Sequence, residues 1–217
     1  MTRRTVRLVL ASGSPRRLEL VGRLGLEAEV VAPGVDEAQL PGEPPPLHAL
    51  RVARMKAAAV AASFPDRPVL AADTVVVLGG LVFGKPRDRA DASRMLAELA
   101  GRSHAVLTAL VLRFGAREAC HLESATVTMV PFRRDLAEWY SATGEGDDKA
   151  GAYAVQGQGA LLIERVEGNV EAVMGLPLAP LPALFAEAGL ELLWDGGRLA
   201  LAPAQAADTG GPPGGAG

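Results

Sequence analysis

The sequence predicts an α/β protein with a mixed, twisted β-sheet flanked by helices. Apolar runs typical of strands alternate along the chain with segments in which apolar residues recur at helical spacing. The chain opens with a strand over residues 6–11, a short loop, and a helix in which Leu18, Val21 and Leu24 share one face. The Gly79-Gly80 pair predicts a hairpin turn, and hairpins among the strands make the sheet a mixed one.

The bounds of the predicted helices and strands follow from capping residues and hydrophobic spacing. Ser14 is a favourable N-cap for the first helix, Pro15 suits its first position, and Gly25 suits its end. Later strands are predicted over residues 27–32, 69–78, 103–114, 122–130 and 161–166, and later helices over residues 47–64, 88–99, 134–140 and 178–188. We expect one folded domain over residues 1–200 and a disordered tail, rich in Ala, Pro and Gly, over residues 201–217.

The composition excludes several kinds of protein. Hydrophobic residues make up 49% of the 217 residues, enough for a buried core, and the net charge of -3 argues against a nucleic-acid-binding protein. Cys120 is the single cysteine, so an intramolecular disulfide and a Cys-rich zinc site are both excluded. No apolar run reaches the roughly 18–20 residues of a membrane span, and the N-terminal run is too short for a signal peptide. We therefore expect a cytoplasmic protein that binds neither nucleic acid nor membranes.

The basic residues are distributed unevenly between the two types. Lysine occurs only at Lys56, Lys85 and Lys149, and the other 19 basic residues are arginines. Such a bias is typical of compositional pressure that converts surface lysine to arginine. The lysines that remain are either unselected surface residues or residues at sites where a planar guanidinium cannot replace a compact ammonium.

The segment after the first strand, Ser12-Gly13-Ser14-Pro15-Arg16-Arg17, predicts an anion-binding site. A glycine-containing turn at a helix N-terminus presents free backbone N–H groups and the positive end of the helix dipole. Two adjacent arginines add a multidentate clamp for oxyanions, and a bound anion would offset their repulsion by the dipole. Ser12, Ser14, Arg16 and Arg17 are therefore candidates for substrate binding; the alternative is a solvated basic turn.

Asp73 interrupts a strand of small and β-branched residues. An unpaired carboxylate is costly to bury, so Asp73 needs a cation, a metal or a catalytic role, unless it is a satisfied residue at a strand end. Residues 79–85 also fit the beginning of a phosphate-binding P-loop, but Pro86 stands where that loop needs Ser or Thr. Lys85 remains a candidate for phosphate contact by a different geometry.

Two further segments supply groups of matching chemistry. Asp36-Glu37 is an acidic pair in the loop after the second strand, and Glu37 with Asp73 offers oxygen ligands for magnesium. The glycine-rich segment over residues 144–157 allows close backbone approach, and its Gln156 can read a nucleobase edge through the amide. Taken alone, the acids also fit a solvated loop and the glycines a structural turn. Together, the cations, carboxylates and amide indicate phosphoryl-group chemistry on a nucleotide.

The motifs and their order resemble those of the Maf proteins, a family of nucleoside triphosphate pyrophosphatases. The similarity covers roughly residues 6–190 and rests on ASGSPRR, GVDE, RMKA, ADTVV, GKP, DKAGAYAVQG and VMGLPL. It implies a fold like that of inosine triphosphate pyrophosphatase, with a cleft between two lobes. It also implies hydrolysis of a nucleoside triphosphate to the monophosphate and pyrophosphate, a divalent cation (Mg²⁺ or Mn²⁺) as cofactor, and a cytoplasmic homodimer.

The resemblance also implies roles for individual residues. Asp73 corresponds to the proton acceptor of the family, and Glu37 to its acidic partner for the metal. Arg16, Thr74 and Gln156 match the branch that acts on dTTP and UTP. The branch that acts on 7-methyl-GTP has Trp in place of Arg16 and an acidic residue in place of Gln156. The phosphate-binding cations of the family correspond to Arg16, Arg17, Lys56 and Lys85.

Two other functions fit the same motifs. One is a nucleotide-binding regulator of septum formation or cell division, and the other is a pyrophosphatase of the 7-methyl-GTP branch. The complete set of carboxylates and cations favours an enzyme, because a protein that only binds a nucleotide has no need of a general base. The function expected from the sequence is therefore hydrolysis of dTTP and UTP, with base-modified pyrimidine nucleotides as further substrates.

Overall fold

The computed structural model describes residues 4–195 and 198–205, which form nine strands and six α-helices. The strands are β1 (Leu8–Ala11), β2 (Ala28–Val31), β3 (Val69–Leu78), β4 (Leu81–Phe83), β5 (Ser103–Phe114), β6 (Arg117–Met129), β7 (Ile163–Glu167), β8 (Leu190–Asp195) and β9 (Arg198–Pro203). The helices are α1 (Pro15–Arg23), α2 (Pro45–Ala61), α3 (Arg89–Leu99), α4 (Arg134–Ala142), α5 (Val170–Met174) and α6 (Leu181–Glu187). Two 3-10 helices lie between α4 and β7, at Ala150–Ala152 and Gly157–Leu162.

Seven strands form one mixed sheet, which confirms the predicted fold class. Their order is β2-β1-β3-β5-β6-β7, with β4 paired to the end of β3. β1 runs parallel to β2 and β3, whereas the pairs from β3 through β5 and β6 to β7 are antiparallel. Because Ala11 at the end of β1 pairs with Ala71, the chain leaves β1 beside the part of β3 that carries Asp73. Ligands of open α/β sheets bind at the edge where the parallel strands end, so a ligand site is expected at this edge.

Alternate residues of β3 face opposite sides of the sheet. Leu70 and Ala72 pack in a core cluster with residues of α1 and α6, whereas Val69 and Ala71 pack in a second cluster with residues of α2. The same alternation places Asp73 on the α2 side and the next residue, Thr74, on the opposite side. A third cluster, around Met129 and Tyr140, lies beneath α3 and α4.

α2 lies close against the sheet because its inward face is built from small residues. Ala49, Ala53 and Ala57 recur every four residues on that face and are fully buried. Short side chains allow the helix to approach β3 and β5 closely. Lys56 therefore enters the protein beside Asp73 and is itself only 4% exposed.

Within the described ranges, no helix combines the length and apolarity that crossing a membrane requires.

The C-terminal part of the chain differs from its prediction. β8 and β9 form an antiparallel hairpin with Leu190 opposite Pro203, and neither strand was predicted. The folded domain therefore continues past the predicted boundary at residue 200. β9 ends at Pro203, and its Leu201 forms a further antiparallel bridge with Val6. The rest of the predicted tail, residues 206–217, lies outside the described residues. α5 was not predicted either, because five residues are too short for a helical repeat to stand out.

Candidate active site

A cavity of about 830 Å³ opens at the edge where β1 ends. The sequence-predicted site residues that line it are Ser12, Ser14, Arg16, Arg17, Glu37, Lys56, Asp73, Thr74 and Lys85. Gln156 is placed differently: it is exposed, at the start of the second 3-10 helix, and does not line this cavity. The structure thus brings together every predicted site residue except Gln156.

Lys56 joins the two candidate carboxylates. Its Nζ lies 2.8 Å from Asp73 Oδ1 and 2.9 Å from Glu37 Oε1. Lys56 and Asp73 are 4% and 5% exposed, so their ion pair is shielded from water. A buried carboxylate is tolerated when it has such a partner, which explains how an aspartate occupies the middle of an apolar strand.

Glu37 is more accessible than Asp73 because it comes from the loop between β2 and α2. Its side chain is 41% exposed, and its Oε2 lies 3.9 Å from Nζ of Lys85. Partial burial raises the pKa of Glu37, but Lys56 and Lys85 outweigh this effect and hold the pKa below its ordinary value. Glu37 is therefore ionised at neutral pH and gives the mouth of the cavity a negative charge between two cations.

Arg17 lies at the N-terminus of α1 and is held by three hydrogen bonds. It donates through Nε to the carbonyl of Gly175 at 2.8 Å, and through its terminal nitrogens to Ser12 Oγ at 3.3 Å and Thr74 Oγ1 at 3.2 Å. Burial lowers the pKa of Arg17, while Asp73 and Glu37 act in the opposite direction. A guanidinium keeps its charge in such a site, so Arg17 is a fixed positive group beside the cavity.

The predicted cap of α1 is confirmed in position but not in its hydrogen bond. Ser14 occupies the N-cap and Pro15 the first helical position, yet the Ser14 hydroxyl makes no capping bond. Instead, the backbone N–H of Ser14 donates to Oγ of Ser12 at 3.1 Å. The N-terminal end of the helix dipole therefore faces the cavity with no acidic side chain in its first turn, as an anion site requires.

A chain of hydroxyl groups orients Thr74. Thr108, which is directly opposite Thr74 in the β3–β5 pair, donates its own proton to the carbonyl of Ala172 at 2.7 Å. The 2.8 Å contact between the Thr74 and Thr108 hydroxyls must therefore be donated by Thr74. Thr74 is left with oxygen lone pairs directed at Arg17, which is a pure donor. The hydroxyls thus set the position of the Arg17 guanidinium.

Gly175 closes this arrangement from the end of α5. It has a φ of +105°, and a Cβ there would lie 3.3 Å from Thr74 Oγ1 and 3.4 Å from Arg17 Nε. The close approach lets the Gly175 carbonyl accept from Arg17. The glycine of the VMGLPL segment, for which the sequence suggested no individual role, is therefore a backbone acceptor that needs the left-handed conformation.

One wall of the cavity is apolar. Val76, Val82, Val106 and Met174 line it together with Tyr153. The Tyr153 hydroxyl lies 2.7 Å from Nε2 of His104, and burial lowers the pKa of this histidine to about 4. His104 is therefore neutral at physiological pH, and it fixes the tyrosine ring that faces the cavity.

The glycine-rich segment is organised around Glu145. Its carboxylate accepts from the Tyr140 hydroxyl at 2.8 Å and from the backbone N–H groups of Gln158 and Gly159 at 3.1 and 2.8 Å. Burial raises the pKa of Glu145, but these hydrogen bonds hold it below its ordinary value. Lys149 lines the cavity and also donates to the backbone carbonyl of Glu145, so it braces this segment.

The carboxylates suit a metal that is completed by substrate oxygens. In the described part of the chain, no group of three or more His, Cys, Asp or Glu side chains could hold a metal ion alone. Glu37 and Asp73 nevertheless converge on one ammonium, so both face the same part of the cavity. Mg²⁺ typically takes one or two protein carboxylates and fills its remaining positions with phosphate and water. The donor set therefore fits a divalent cation bound together with a phosphate ligand.

Two residues of the site had no signal in the sequence. Thr108 is identified only by its register opposite Thr74, and His48 only by its place in the cavity wall. A hydroxyl within a strand and a histidine within a helix are common in any fold. Gly175 and Tyr153 did have a signal, because they belong to the VMGLPL and DKAGAYAVQG motifs.

The chain is similar to proteins of known family and to one solved structure. The family described as Maf-like protein matches residues 7–188 of the chain. A dTTP/UTP pyrophosphatase of Anaeromyxobacter dehalogenans (strain 2CP-C) is 52% identical over 193 residues, covering 87% of this chain and 97% of that protein. A dTTP/UTP pyrophosphatase of Myxococcus xanthus (strain DK1622) is 45% identical over 187 residues, covering 86% and 95%. Among solved structures, the Staphylococcus aureus Ham1 protein has a TM-score of 0.42 and 15% identity, covering 57% of this chain and 71% of that chain.

Proposed function

The chain belongs to the Maf-like protein family, and from this premise we propose that it hydrolyses dTTP and UTP to the nucleoside monophosphate and pyrophosphate. The observation that carries the proposal is the buried Asp73 carboxylate, which lines a cavity bordered by Lys56, Lys85 and Arg17. A carboxylate that can take a proton, placed among cations that can bind polyphosphate, is what hydrolysis of a phosphoanhydride needs. The relatives named dTTP/UTP pyrophosphatase support the choice of substrates.

In the proposed reaction, water attacks the α-phosphorus of the nucleotide. The oxygen of water forms a bond to that phosphorus while the bond to the bridging oxygen of the β-phosphate breaks. Asp73 takes the proton that water loses, and pyrophosphate leaves with the electron pair of the broken bond. Lys56 donates to Asp73 Oδ1 at 2.8 Å, which holds the carboxylate in one orientation for this transfer.

The cations stabilise the charge that grows on the leaving pyrophosphate. Arg17 is fixed by Gly175 and Thr74, and Arg16 lines the same cavity. Lys85 is 59% exposed, so its flexible ammonium can follow a phosphate group into the site. Fixed donors that need no reorganisation during the reaction are worth more than mobile ones, so Arg17 carries the larger share.

We also propose a divalent cation, Mg²⁺ or Mn²⁺, as cofactor. Glu37 and Asp73 would hold it together with phosphate oxygens of the substrate. A divalent cation at this place neutralises phosphate charge and polarises the phosphoryl oxygens. The expected consequence is that a chelator abolishes turnover and that added Mg²⁺ or Mn²⁺ restores it.

The deciding experiment measures pyrophosphate release from a panel of nucleoside triphosphates, each with Mg²⁺ and with Mn²⁺. Release from dTTP and UTP well above the other nucleotides is the expected result. Release mainly from 7-methyl-GTP would contradict the dTTP/UTP assignment. Release from none of the nucleotides would contradict the enzymatic function and favour a nucleotide-binding regulator of septum formation.

The homodimer and the cytoplasmic location implied by the resemblance stay predictions. Light scattering coupled to size-exclusion chromatography of the full chain measures the mass in solution. The expected mass is twice the 22.4 kDa of the chain. Fractionation of cells that express the protein tests its location.

A further inference from the structure

The loop that carries Glu37 has no helix or strand of its own. It spans residues 32–44 between β2 and α2, and most of its residues are exposed. A segment of this kind loses conformational entropy when it is ordered, so its position depends on a few strong contacts. One contact is the ion pair between Glu37 and Lys56, which lies in the cavity.

A second set of contacts lies outside the cavity and centres on Arg51 of α2. Arg51 donates through Nε to Glu43 Oε1 at 2.6 Å and through a terminal nitrogen to Glu43 Oε2 at 2.8 Å. The same terminal nitrogen donates to the carbonyl of Ala38 at 2.8 Å. Since Ala38 is the neighbour of Glu37 in the chain, Arg51 fixes the backbone next to the candidate metal ligand.

Glu43 links the end of the loop to the same guanidinium. Its Oε2 also accepts from the backbone N–H of Leu40 at 3.1 Å and lies 3.2 Å from Nδ1 of His48. The Glu43 side chain is 10% exposed and that of Arg51 is 26% exposed, so water competes only weakly for this pair. A bidentate pair between a guanidinium and a carboxylate with little solvent around it is among the stronger and more directional polar contacts.

We propose that Arg51 and Glu43 form a clamp that positions Glu37 for the reaction, which makes Arg51 a positioning residue. The inference rests on the proposed function, because it assigns Arg51 a part in that same site. Arg51 and Lys56 belong to one helix, so α2 fixes the loop with one residue and receives its carboxylate with another. Neither Arg51 nor Glu43 lines the cavity; the clamp reaches it through the loop and through His48, which contacts both residues and lines the cavity.

The test compares Arg51→Met with Arg54→Met. Arg54 is on the same helix, but it pairs with Glu118 at 3.0 Å, away from the loop, so its variant is a matched control. Losing the charge-assisted hydrogen bonds to Glu43 and Ala38, which hold the backbone beside Glu37, is expected to lower kcat/KM by about tenfold in Arg51→Met. Arg54→Met is expected to stay within about twofold of the wild type, because an exposed ion pair contributes little.

Two further measurements separate positioning from a merely structural role. In a Glu37→Gln background, Arg51→Met is expected to cause no further loss of kcat/KM, because the clamp has no carboxylate left to position. Hydrogen exchange of peptides covering residues 35–43 is expected to accelerate in Arg51→Met and not in Arg54→Met.

The outcomes distinguish the clamp from the proposed function. Equal activity of Arg51→Met and wild type, or an equal further loss in the Glu37→Gln background, would overturn the clamp while the enzymatic function stands. If the wild type releases no pyrophosphate from any triphosphate, the proposed function fails, and hydrogen exchange still decides whether Arg51 holds the loop. Unchanged exchange of residues 35–43 in Arg51→Met would refute that as well.

Discussion

Removing the ammonium of Lys56 tests the centre of the site. In a Lys56→Met variant, the buried Asp73 carboxylate loses the partner at 2.8 Å while a side chain of similar length fills the space. Breaking a buried ion pair by deleting one partner costs about 3–5 kcal/mol in the free energy of unfolding. Arg17 also attracts Asp73, so we expect about 3 kcal/mol, the lower end of that range.

Denaturant unfolding followed by circular dichroism measures this change. A loss of about 3 kcal/mol corresponds to a fall in Tm of roughly 10 °C for a chain of this size. Asp73→Asn is the informative comparison, because Lys56 keeps Glu37 at 2.9 Å and the Asn oxygen can still accept. We expect that variant to lose only about 1 kcal/mol.

The double variant Lys56→Met/Asp73→Asn completes the cycle. With both charges gone, no uncompensated carboxylate is buried, so the double variant is expected to be more stable than Lys56→Met alone. If Lys56→Met unfolds at the same denaturant concentration as the wild type, the ion pair with Asp73 does not stabilise the fold. If the losses of the two single variants simply add, Lys56 and Asp73 are not coupled; either result contradicts the expected role of the pair.

Four further predictions concern catalysis and its support. Asp73→Asn is expected to abolish pyrophosphate release while the circular dichroism spectrum is retained; a folded variant with near-wild-type turnover would remove Asp73 as the proton acceptor. Lys85→Arg is expected to lower kcat/KM about tenfold although the charge is kept, because a planar fork cannot follow the phosphate as an ammonium does; an unchanged rate would leave Lys85 without a phosphate contact. Thr108→Val is expected to lower kcat/KM severalfold with little loss of stability, because the Ala172 carbonyl still accepts from Gly175 at 3.0 Å. Thr128→Val, at an exposed hydroxyl pair of the same sheet, is its control and should leave kcat/KM unchanged. Gly175→Ala is expected to cost about 1–3 kcal/mol through its positive φ and to weaken substrate binding by displacing Arg17; unchanged unfolding and KM would contradict the role given to that glycine.

The parts of the fold that were predicted are those whose local signals agree with one another. Pro15 begins α1, a β-branched run forms β3, and Gly79-Gly80 joins β3 to β4, all as the sequence indicates. The β8–β9 hairpin was missed although Asp195-Gly196-Gly197 is a turn signal, because the Leu and Ala residues around it have no strand preference. Tertiary pairing with Val6 and between the two strands supplies what local preference lacks.

The sequence predicted the residues of the candidate site that stand out by their charge or by their place in a motif. The residue types make three members conspicuous: Asp73, Lys56 and Glu37. The structure places the Lys56 ammonium within hydrogen-bonding distance of both carboxylates. Thr108 and Arg51 are not conspicuous, since their contributions depend on strand register and on how the loop folds back over α2. Register and loop path arise from packing across the whole domain, so no short sequence window contains them.

The three lysines illustrate how composition becomes informative once burial is known. Lys56 is 4% exposed and contacts two carboxylates, so it is not an unselected surface residue. A single compact ammonium can lie 2.8 and 2.9 Å from two acids in a tight site, whereas a guanidinium would need a wider, planar space. Lys149 donates to the backbone carbonyl of Glu145 and so holds the glycine-rich segment in place. Lys85 is the exposed lysine of the three. The contacts of Lys56 therefore explain why a lysine stands there in a chain that otherwise uses arginine. For Lys85 the explanation is the proposed phosphate contact, which the Lys85→Arg variant tests.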